Sequence, residues 1–503
     1  MPTLCLPEDP SLENLKKQAK RLLRDLRAGD PESVAWAREH HPLGVARQED
    51  VSLHDAQFLL ARGYGFPSWA KLKAHLQVVE RFLWDPPEGA PWEADSGPRG
   101  DAFLRFACLV YGEWKPSWPE TARRWLAEEP DLGRADLYAA AACGDVEAAR
   151  RLLASDFSAV HEEGGPLDWE PLLYACYSRL TVPGSAYSTL EVARLLLAAG
   201  ADPNAGFLWR GNVPPFTALT GAFGEGEDGN NQPPHPDRDA LARLLLESGA
   251  DPNDGQTLYN RHFRPDDGHL ELLFEYGLGK DQGGPWFRLL GDRLQSPAQM
   301  LVEELWAAAR KGFRHRVELL VEHGAEVDTP GVRDGRRPYE SAIRTGNLEI
   351  AEYLARHGAE RIELDPDQRF AAACLAGRRE EARALLAKDP DRLRRLGVRG
   401  RVGLAHHAVE ADRPEAVRLL AELGCELNAA RREEAPFDRS PLHDAAWSGN
   451  LPLVRLLVEL GADPEVRDPR FQATPLGWAE HNHQSEVVAY LAALAAPGET
   501  PHE

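Results

Sequence analysis

The sequence has no long apolar run and few cysteines, and both features restrict the class of protein. No stretch of about 18 consecutive apolar residues occurs, so we expect no membrane-spanning helix. Residues 1–7 lack the charged start and apolar core of a secretory signal. The six cysteines are scattered without a C-x-x-C pair, which favours reduced thiols over disulfides or a zinc site. These absences predict a cytoplasmic protein.

Positive charges are outnumbered, with 58 Lys/Arg residues against 80 Asp/Glu residues. The formal net charge is -22 at pH 7, and nucleic acids and anionic membranes repel such a polyanion. The phosphate-binding loops, the metalloprotease motif and the nucleophile elbow that mark many enzymes are missing as well. We therefore predict that the protein is not an enzyme and has no cofactor, no catalytic residues and no metal ligands. We expect neither a membrane nor a nucleic acid as its partner.

Methionine is rare, with two copies in 503 residues, and arginine outnumbers lysine. This usage indicates a GC-rich, bacterial genome. The hydrophobic fraction of 43% and the charged fraction of 27% are ordinary for a folded, soluble chain. The composition therefore leaves the function open, and the local patterns have to supply it.

The most informative stretch runs from residue 440 to residue 482. It begins with S-P-L-H-D-A-A and is interrupted by Gly449. An apolar stripe follows at residues 451–457 and ends before Gly461. Serine and proline favour a helix start, whereas glycine favours a helix end because it adopts left-handed conformations. The stretch predicts a pair of helices whose leucine stripe must be covered by a neighbouring pair.

This pattern resembles the ankyrin repeat, which has a T-P-L-H-x-A signature and a period near 33 residues. The step from Gly324 to Gly358 is 34 residues, and the step from Gly358 to Gly424 is 66. The resemblance implies an all-α fold, with an ankyrin-type solenoid of helical hairpins over residues 99–496. It also implies that the His443 imidazole ties neighbouring turns together. The Gly-Ala-(Asp/Glu) markers and their variant begin at Gly200, Gly249, Gly324, Gly358, Gly424 and Gly461.

Residues 1–83 form a second recognisable part. They read S-L-E-N-L-K-K-Q-A-K at residues 11–20 and A-R-G-Y-G-F-P-S-W at residues 61–69. Both stretches resemble a small helical module found ahead of ankyrin repeats in bacterial proteins. The resemblance implies a short helical bundle and assigns no chemistry to it. Residues 84–98 are rich in proline and predict a linker, and residues 497–503 are assigned to a C-terminal tail.

The repeat spacing is irregular between residues 203 and 300, where we expect long loops. The step from Gly200 to Gly249 is 49 residues, and residues 224–234 are so polar that they predict a mobile loop. Aromatic residues in these loops indicate either ordered packing or a contact surface. An enzyme or metal-binding site in residues 203–300 is therefore an alternative function, with four candidate residues: His262, Asp266, Asp267 and His269.

A basic segment at residues 369–401 interrupts the acidic chain. It holds ten Lys/Arg residues and four Asp/Glu residues. Guanidinium groups suit carboxylates and phosphates, so an anion or nucleic-acid site is a further alternative. The other interpretation is an exposed turn whose arginines pair with acidic neighbours.

The main functional hypothesis is a non-enzymatic scaffold that binds another protein, and we expect a monomer. In the resembled family, partners contact the turn tips and the exposed residues of the first helix, especially the two residues before its glycine. Trp447 is notable because a large aromatic residue on such a face is a frequent interaction anchor. It could instead pack on an adjacent turn. The predicted partner-binding residues are Arg310, Lys311, Arg344, Thr345, Trp447, Ser448, His481 and Asn482.

Overall fold

The computed structural model describes residues 4, 6, 11–40, 50–86, 98–280, 283–428 and 439–495, with the side chains of residues 398 and 399 left out. The chain divides into two compact units. These limits differ from the predicted division at residues 83 and 99. Residues 87–97 of the predicted linker and the predicted tail lie outside the described residues. The first unit comprises Met1–Gly224, Pro234–Thr257 and Gln282–Gln295, and the second comprises Glu225–Pro233, Leu258–Asp281 and Ser296–Glu503.

The first unit begins with four helices that bury apolar residues between them. Each of three helices starts at a serine whose hydroxyl accepts a backbone N–H: Ser11, Ser52 and Ser68. Such caps satisfy donors that have no partner inside the helix. The turn residues Tyr64 and Phe66 are buried in the core between these helices. The helices are α1 (Leu12–Arg27), α2 (Pro31–His40), α3 (Leu53–Gly63) and α4 (Trp69–Phe82).

The chain then continues mostly as short helices, so the residues that the structure describes are helical apart from one small sheet. These helices are brief because glycines, prolines and polar caps interrupt the apolar periodicity every ten residues or so. The elements up to residue 261 are β1 (Leu83–Trp84), α5 (Arg99–Ala107), α6 (Trp118–Glu128), α7 (Leu137–Cys143), α8 (Val146–Ser155), α9 (Pro171–Tyr177), α10 (Thr189–Ala198), β2 (Gly206–Trp209), β3 (Phe216–Thr217), α11 (Ala218–Phe223), α12 (Arg238–Glu247) and α13 (Gly255–Arg261).

The sheet in the first unit has the order β1-β2-β3. Strand β1 runs parallel to β2, with Leu83 opposite Leu208, and β2 runs antiparallel to β3, with Phe207 opposite Phe216. The ring of Phe207 stacks on Trp169, with centroids 5.2 Å apart. The aromatic residues that we expected in a long loop are thus part of ordered packing. The sheet also joins residues 83–84 directly to strand β2, more than 100 residues further along the chain.

The remaining helices lie mainly in the second unit. Most follow one another as pairs, and several of these pairs are closed by a glycine with positive φ, such as Gly324, Gly358 or Gly461. They are α14 (Gly268–Glu275), α15 (Pro285–Leu290, in the first unit), α16 (Pro297–Lys311), α17 (Arg314–Glu322), α18 (Pro338–Arg344), α19 (Leu348–Arg356), α20 (Pro366–Leu375), α21 (Arg379–Lys388), α22 (Arg392–Glu410, kinked at Gly397), α23 (Pro414–Glu422), α24 (Pro441–Ser448), α25 (Leu451–Glu459), α26 (Pro475–His481) and α27 (Ser485–Ala495).

The first helices of successive pairs stack on one another in the second unit. Helix α16 packs on α18, α18 on α20, α20 on α22, α22 on α24, and α24 on α26. The side chains of Leu320 and Leu457, which should be open to water if the pairs stood alone, are 0% exposed. Leu196 in the first unit is likewise 0% exposed. Burial of each apolar stripe by the next pair is therefore what stabilises the array.

The hairpin at residues 440–461 has the local chemistry that the sequence predicts. Gly449 ends α24 with a φ of +73°. The His443 Nδ1 atom accepts the Ser440 backbone N–H at 3.1 Å, so its Nε2–H donates to the Ala473 carbonyl oxygen at 3.1 Å. His443 thus joins one turn to the next, as the resemblance implied.

The segment 225–233 in the second unit is ordered, contrary to the prediction of a mobile loop. Gly229–Asn231 form one turn of 3-10 helix, and the Glu225 N–H donates to the Gln232 carbonyl at 2.7 Å. Asn231 is only 5% exposed. Composition indicated correctly that the segment cannot form an apolar core. It is held by hydrogen bonds instead, which composition does not reveal.

Candidate partner-binding surface

The predicted partner-binding residues lie at the C-terminal ends of α16, α18, α24 and α26, all in the second unit. We refer to this set as the helix-end row. Its members share a position because each first helix stops at nearly the same point relative to its neighbour. The structure places some of them against solvent and engages others with residues of the same chain.

Trp447 is the centre of an aromatic cluster on the last two hairpins. Its ring lies 5.6 Å from that of Trp478 at 72°, and 5.9 Å from that of His481 at 24°. Phe471, which is 62% exposed, lies 6.3 Å from Trp478. Trp447 and Trp478 are half-buried, and Ser448 is exposed. Trp447 thus packs on its neighbours and still presents part of its ring to solvent.

His481 and Asn482 already have partners within the chain. The Asn482 side chain is buried, and its Nδ2 atom donates to the Trp447 carbonyl oxygen at 2.6 Å. Its Oδ1 atom accepts the Asn230 backbone N–H at 2.7 Å. The His481 Nε2 atom is 3.0 Å from an Asp228 carboxylate oxygen. Asn482 therefore reaches an external partner only if residues 228–231 move away.

Arg310 and Lys311 are also used internally. The Arg310 guanidinium lies 3.8 Å from the Glu410 carboxylate, and Lys311 Nζ donates to the His262 carbonyl oxygen at 3.2 Å. Burial and the positive charge of Arg310 lower the pKa of Lys311 to about 8, against the opposing effect of Glu410. Burial alone would raise the pKa of Glu410, but the His407 hydrogen bond and the neighbouring cations lower it to about 2. These groups form a charge-compensated cluster.

Arg344 and Thr345 differ in their accessibility to a ligand. The Thr345 hydroxyl donates to the Ser341 carbonyl at 2.8 Å, and its own carbonyl accepts from Arg413 at 2.6 Å. Arg344 donates to Glu340 at 2.6 Å and lines a cavity of about 570 Å³. The cavity carries charges of both signs, and the remaining lining includes Asp365, Asp367, Asp389, Arg392 and Arg395.

The basic segment 369–401 is largely neutralised by acidic neighbours. Arg392 Nε lies 2.9 Å from Asp367, and Arg395 Nη2 lies 2.6 Å from Asp389. This arrangement matches the interpretation of an exposed turn paired with carboxylates, rather than an anion site. The other described pairs in the segment are Arg369 and Arg378 with Glu381, Arg379 and Arg383 with Glu422, Arg394 with Asp391, and Arg401 with Glu426.

The alternative site in the long loops does not form a metal centre in the described part of the chain. Burial and nearby Lys311 lower the pKa of His262 to about 3, so this imidazole is neutral at pH 7. Asp266 pairs with Arg261, and Asp267 accepts from Arg316 at 2.6 Å. Across the described ranges, no group of three or more His, Cys, Asp or Glu residues is placed to hold a metal ion.

None of the described helices combines the length and apolar character that a membrane crossing requires.

Paired helices, glycine stops and stacked first helices are the architecture of a helical repeat protein. Residues 437–469 match the family model described as Ankyrin repeat. The chain therefore contains an ankyrin repeat, and that repeat carries Trp447 and the α24–α25 hairpin.

Three curated relatives are similar to parts of the chain. It is 29% identical to Rabankyrin-5 of Mus musculus over 163 residues, which are 31% of this chain and 13% of the relative. It is 35% identical to palmitoyltransferase AKR1 of Kluyveromyces lactis over 109 residues, 21% of this chain and 14% of the relative. It is 25% identical to putative palmitoyltransferase ZDHHC13 of Danio rerio over 206 residues, 41% of this chain and 31% of the relative. The chain thus spans less than a third of the length of each of these relatives.

These similarities correct one prediction. We predicted that the protein is not an enzyme, and two relatives are named palmitoyltransferases. The prediction rested on missing local motifs, which do not exclude a site assembled from distant residues.

Sequence reasoning missed several residues of this chain that form hydrogen bonds to members of the helix-end row. The composition of residues 224–234 predicts a mobile loop and gives no sign of the contacts of Asp228, Asn230 and Asn231, and no sequence pattern marks Arg413. Arg413 donates to the Leu375 carbonyl at 2.9 Å as well as to Thr345. The one sequence feature that could have indicated these contacts is the presence of two adjacent asparagines, Asn230 and Asn231. Side-chain amides form specific hydrogen bonds to backbone groups.

Proposed function

We propose that this protein is an ankyrin-type solenoid that binds another protein through its helix-end row. The support for the array is the match at residues 437–469 together with the stacking of α16, α18, α20, α22, α24 and α26. Residues 1–83 would act as the helical module that precedes it. We place the interaction in the cytoplasm, in keeping with the scattered cysteines.

The observation that carries this proposal is the aromatic cluster around Trp447. Interface anchors are enriched in tryptophan, tyrosine and arginine. Here Trp447, Trp478 and Phe471 share one surface, and the Arg439 guanidinium lies 5.6 Å from the Trp478 ring centroid. Such a patch offers apolar area to a partner, next to an Arg439 guanidinium that is paired with Asp444.

The test is affinity capture with the full-length protein, followed by identification of the bound proteins. Truncation of a central aromatic anchor costs about 2 kcal/mol or more, which is roughly a 30-fold loss of affinity. We expect Trp447→Ala to lose the captured partner. Glu459→Ala is the matched control, because Glu459 is exposed on α25 of the same hairpin. Equal recovery by wild type, Trp447→Ala and Arg344→Glu would show that the helix-end row is not the binding surface.

Palmitoyl transfer is a second candidate, favoured by the names of two relatives. A cysteine nucleophile reacts as the thiolate. Burial raises the pKa of the Cys143 thiol to about 12 and that of Cys425 to about 11. Cys108, Cys176 and Cys374 are buried too. Burial therefore disfavours the reactive thiolate at each of these five cysteines. Transfer of label from a palmitoyl thioester to this chain or to a captured protein would establish the activity, and its absence in both would remove this candidate.

A further inference from the structure

Three polar residues and a glycine, Asp228-Gly229-Asn230-Asn231, lie against the ends of α24 and α26 within the second unit. We refer to them as the DGNN turn and to residues 481–483 as its cradle. The turn was expected to have no fixed partner. It instead makes several hydrogen bonds to a stretch about 250 residues further along the chain.

The contacts form a specific pattern around the two asparagines. The Asn230 backbone N–H donates to Asn482 Oδ1 at 2.7 Å, and its Nδ2 donates to the Asn482 carbonyl at 2.9 Å. Asn231 Nδ2 donates to the His481 carbonyl at 3.1 Å. The cradle thus recognises two carboxamides and one backbone amide.

Two imidazoles complete the pattern at the edges of the cradle. His481 Nε2 lies 3.0 Å from Asp228 Oδ1, and His483 Nε2 lies 2.9 Å from Asn231 Oδ1. A Cβ atom added at Gly229 would be 2.5 Å from Asn482 Oδ1, and Gly229 has a φ of +56°. The cradle therefore reads a carboxylate, a glycine and two carboxamides in that order.

The cradle has supports that do not depend on the turn. Asn482 Nδ2 stays bonded to the Trp447 carbonyl at 2.6 Å, and Gln484 Nε2 donates to the same oxygen at 3.0 Å. His481 stacks on the Trp447 ring. These contacts come from α24 and α26 and from the residues that follow α26, so the recognition geometry is built by the array itself.

The turn is held by polar contacts that are open to water at Asp228 and His481 and buried at Asn231 and Asn482. Its Asp228 side chain is 38% exposed, and the His481 side chain is 61% exposed. A neutral hydrogen bond contributes about 0.5–1.5 kcal/mol net, because water competes for the same groups. On its other side the turn is held by Arg264, whose Nη2 donates to Asn230 Oδ1 at 2.8 Å. The buried Arg261–Glu225 ion pair anchors the base of the segment, so the turn can leave while its base stays.

We propose that the cradle is a recognition site for an Asx-rich turn, that the DGNN turn fills it as an internal ligand, and that a partner protein binds by presenting a turn of the same chemistry and displacing it. This inference rests on the proposed function, because it specifies what one end of the helix-end row recognises. The occupant is a protein turn that carries a carboxylate, a glycine and two carboxamides. The complementarity is the one that the chain's own residues display.

The test uses a fluorescent peptide with the sequence of residues 224–234 and the full-length protein. In the triple variant Asp228→Ala, Asn230→Ala, Asn231→Ala, the internal ligand loses its recognition groups and the cradle is open. We expect this variant to bind the peptide at least about tenfold more tightly than wild type does, because a tethered ligand competes at millimolar effective concentration. Adding Asn482→Ala to the triple variant should abolish binding. A peptide with alanine at the same three positions is the matched control and should not bind.

Equal binding of the peptide to wild type and triple variant, or no binding to either, would overturn the inference. If the triple variant fails to fold, limited proteolysis after Glu227, which is exposed beside the turn, replaces it. Asn482→Ala alone should then speed cleavage there, and an unchanged rate would overturn the inference. The peptide assay needs no partner, so its failure leaves the Trp447 capture experiment standing. In that experiment, a triple variant that recovers no more partner than wild type would contradict displacement.

Discussion

Replacing His235 with glutamine should remove a large part of the acid sensitivity of the first unit. His235 is 2% exposed. Its Nδ1 atom accepts the Asp237 backbone N–H at 3.0 Å, so the proton of the neutral ring is on Nε2, which donates to Thr189 Oγ1 at 3.0 Å. A second proton on Nδ1 would face an N–H donor. Burial, together with the charge of Arg179, lowers the pKa of His235 to about 3.

The magnitude follows from the difference between the folded and unfolded states. In the unfolded chain the His235 imidazole takes up a proton near the ordinary histidine pKa of 6.5, whereas in the folded chain it does so only near 3. Below pH 6.5 the unfolded state binds more protons, so stability falls as the pH falls towards 3 and is fully present above 6.5. Between pH 7 and pH 5 the loss is about 2 kcal/mol, at about 1.4 kcal/mol per pH unit.

The assay is urea unfolding of wild type and His235→Gln at pH 7 and pH 5. Other groups titrate in both proteins and cancel in the comparison, so wild type should lose about 2 kcal/mol more than the variant. The absolute stability of the variant does not matter. The same change at His161, which is exposed, is the control and should keep the wild-type dependence. Identical pH dependence in wild type and His235→Gln would refute the reasoning.

Two further predictions concern the second unit. Leu457→Ala removes a side chain that is 0% exposed and should cost about 2–5 kcal/mol in thermal or urea unfolding. Leu457→Met, which nearly conserves volume, should cost less than about 1.5 kcal/mol, and equal losses would contradict close packing between hairpins. Asp267→Asn leaves the Arg316 guanidinium, 1% exposed in its side chain, without its nearest carboxylate and should cost about 3–5 kcal/mol. A loss below about 1 kcal/mol would show that the Arg316 charge is compensated by other groups.

The sequence predicted those features that depend on neighbours in the chain. Ser440, Gly449 and Gly461 set the limits of two helices through capping and left-handed conformations, and these are local effects. The role of His443 was instead implied by the resemblance to the ankyrin repeat, because its bond to the Ala473 carbonyl joins residues 30 positions apart. The burial of Leu457 followed because an apolar stripe on a hairpin needs a second hairpin to cover it.

The features that were missed depend on residues far apart in the sequence. Strand β2 has only four residues and pairs with residues 83–84, which precede it by more than 100 positions. The sequence of the basic segment is compatible with an anion site and with a paired turn. The structure distinguishes the two because Asp367, which lies outside the segment, pairs with Arg392. The DGNN turn looked like a loop because composition reports on apolar burial, whereas its contacts are hydrogen bonds to Asn482. No local pattern encodes such pairings.

The strand β1 has a practical consequence for dissecting this chain. Leu208 is 0% exposed and packs with Val79 of α4 and Trp286 of α15, and the Trp84 indole donates to the Leu167 carbonyl at 2.6 Å. A fragment that starts at residue 98 would lose Val79 and Trp84 and leave one edge of β2 unpaired. Unpaired strand edges promote aggregation. Expression of the hairpins alone should therefore give insoluble material, and soluble truncations should retain α4 and β1.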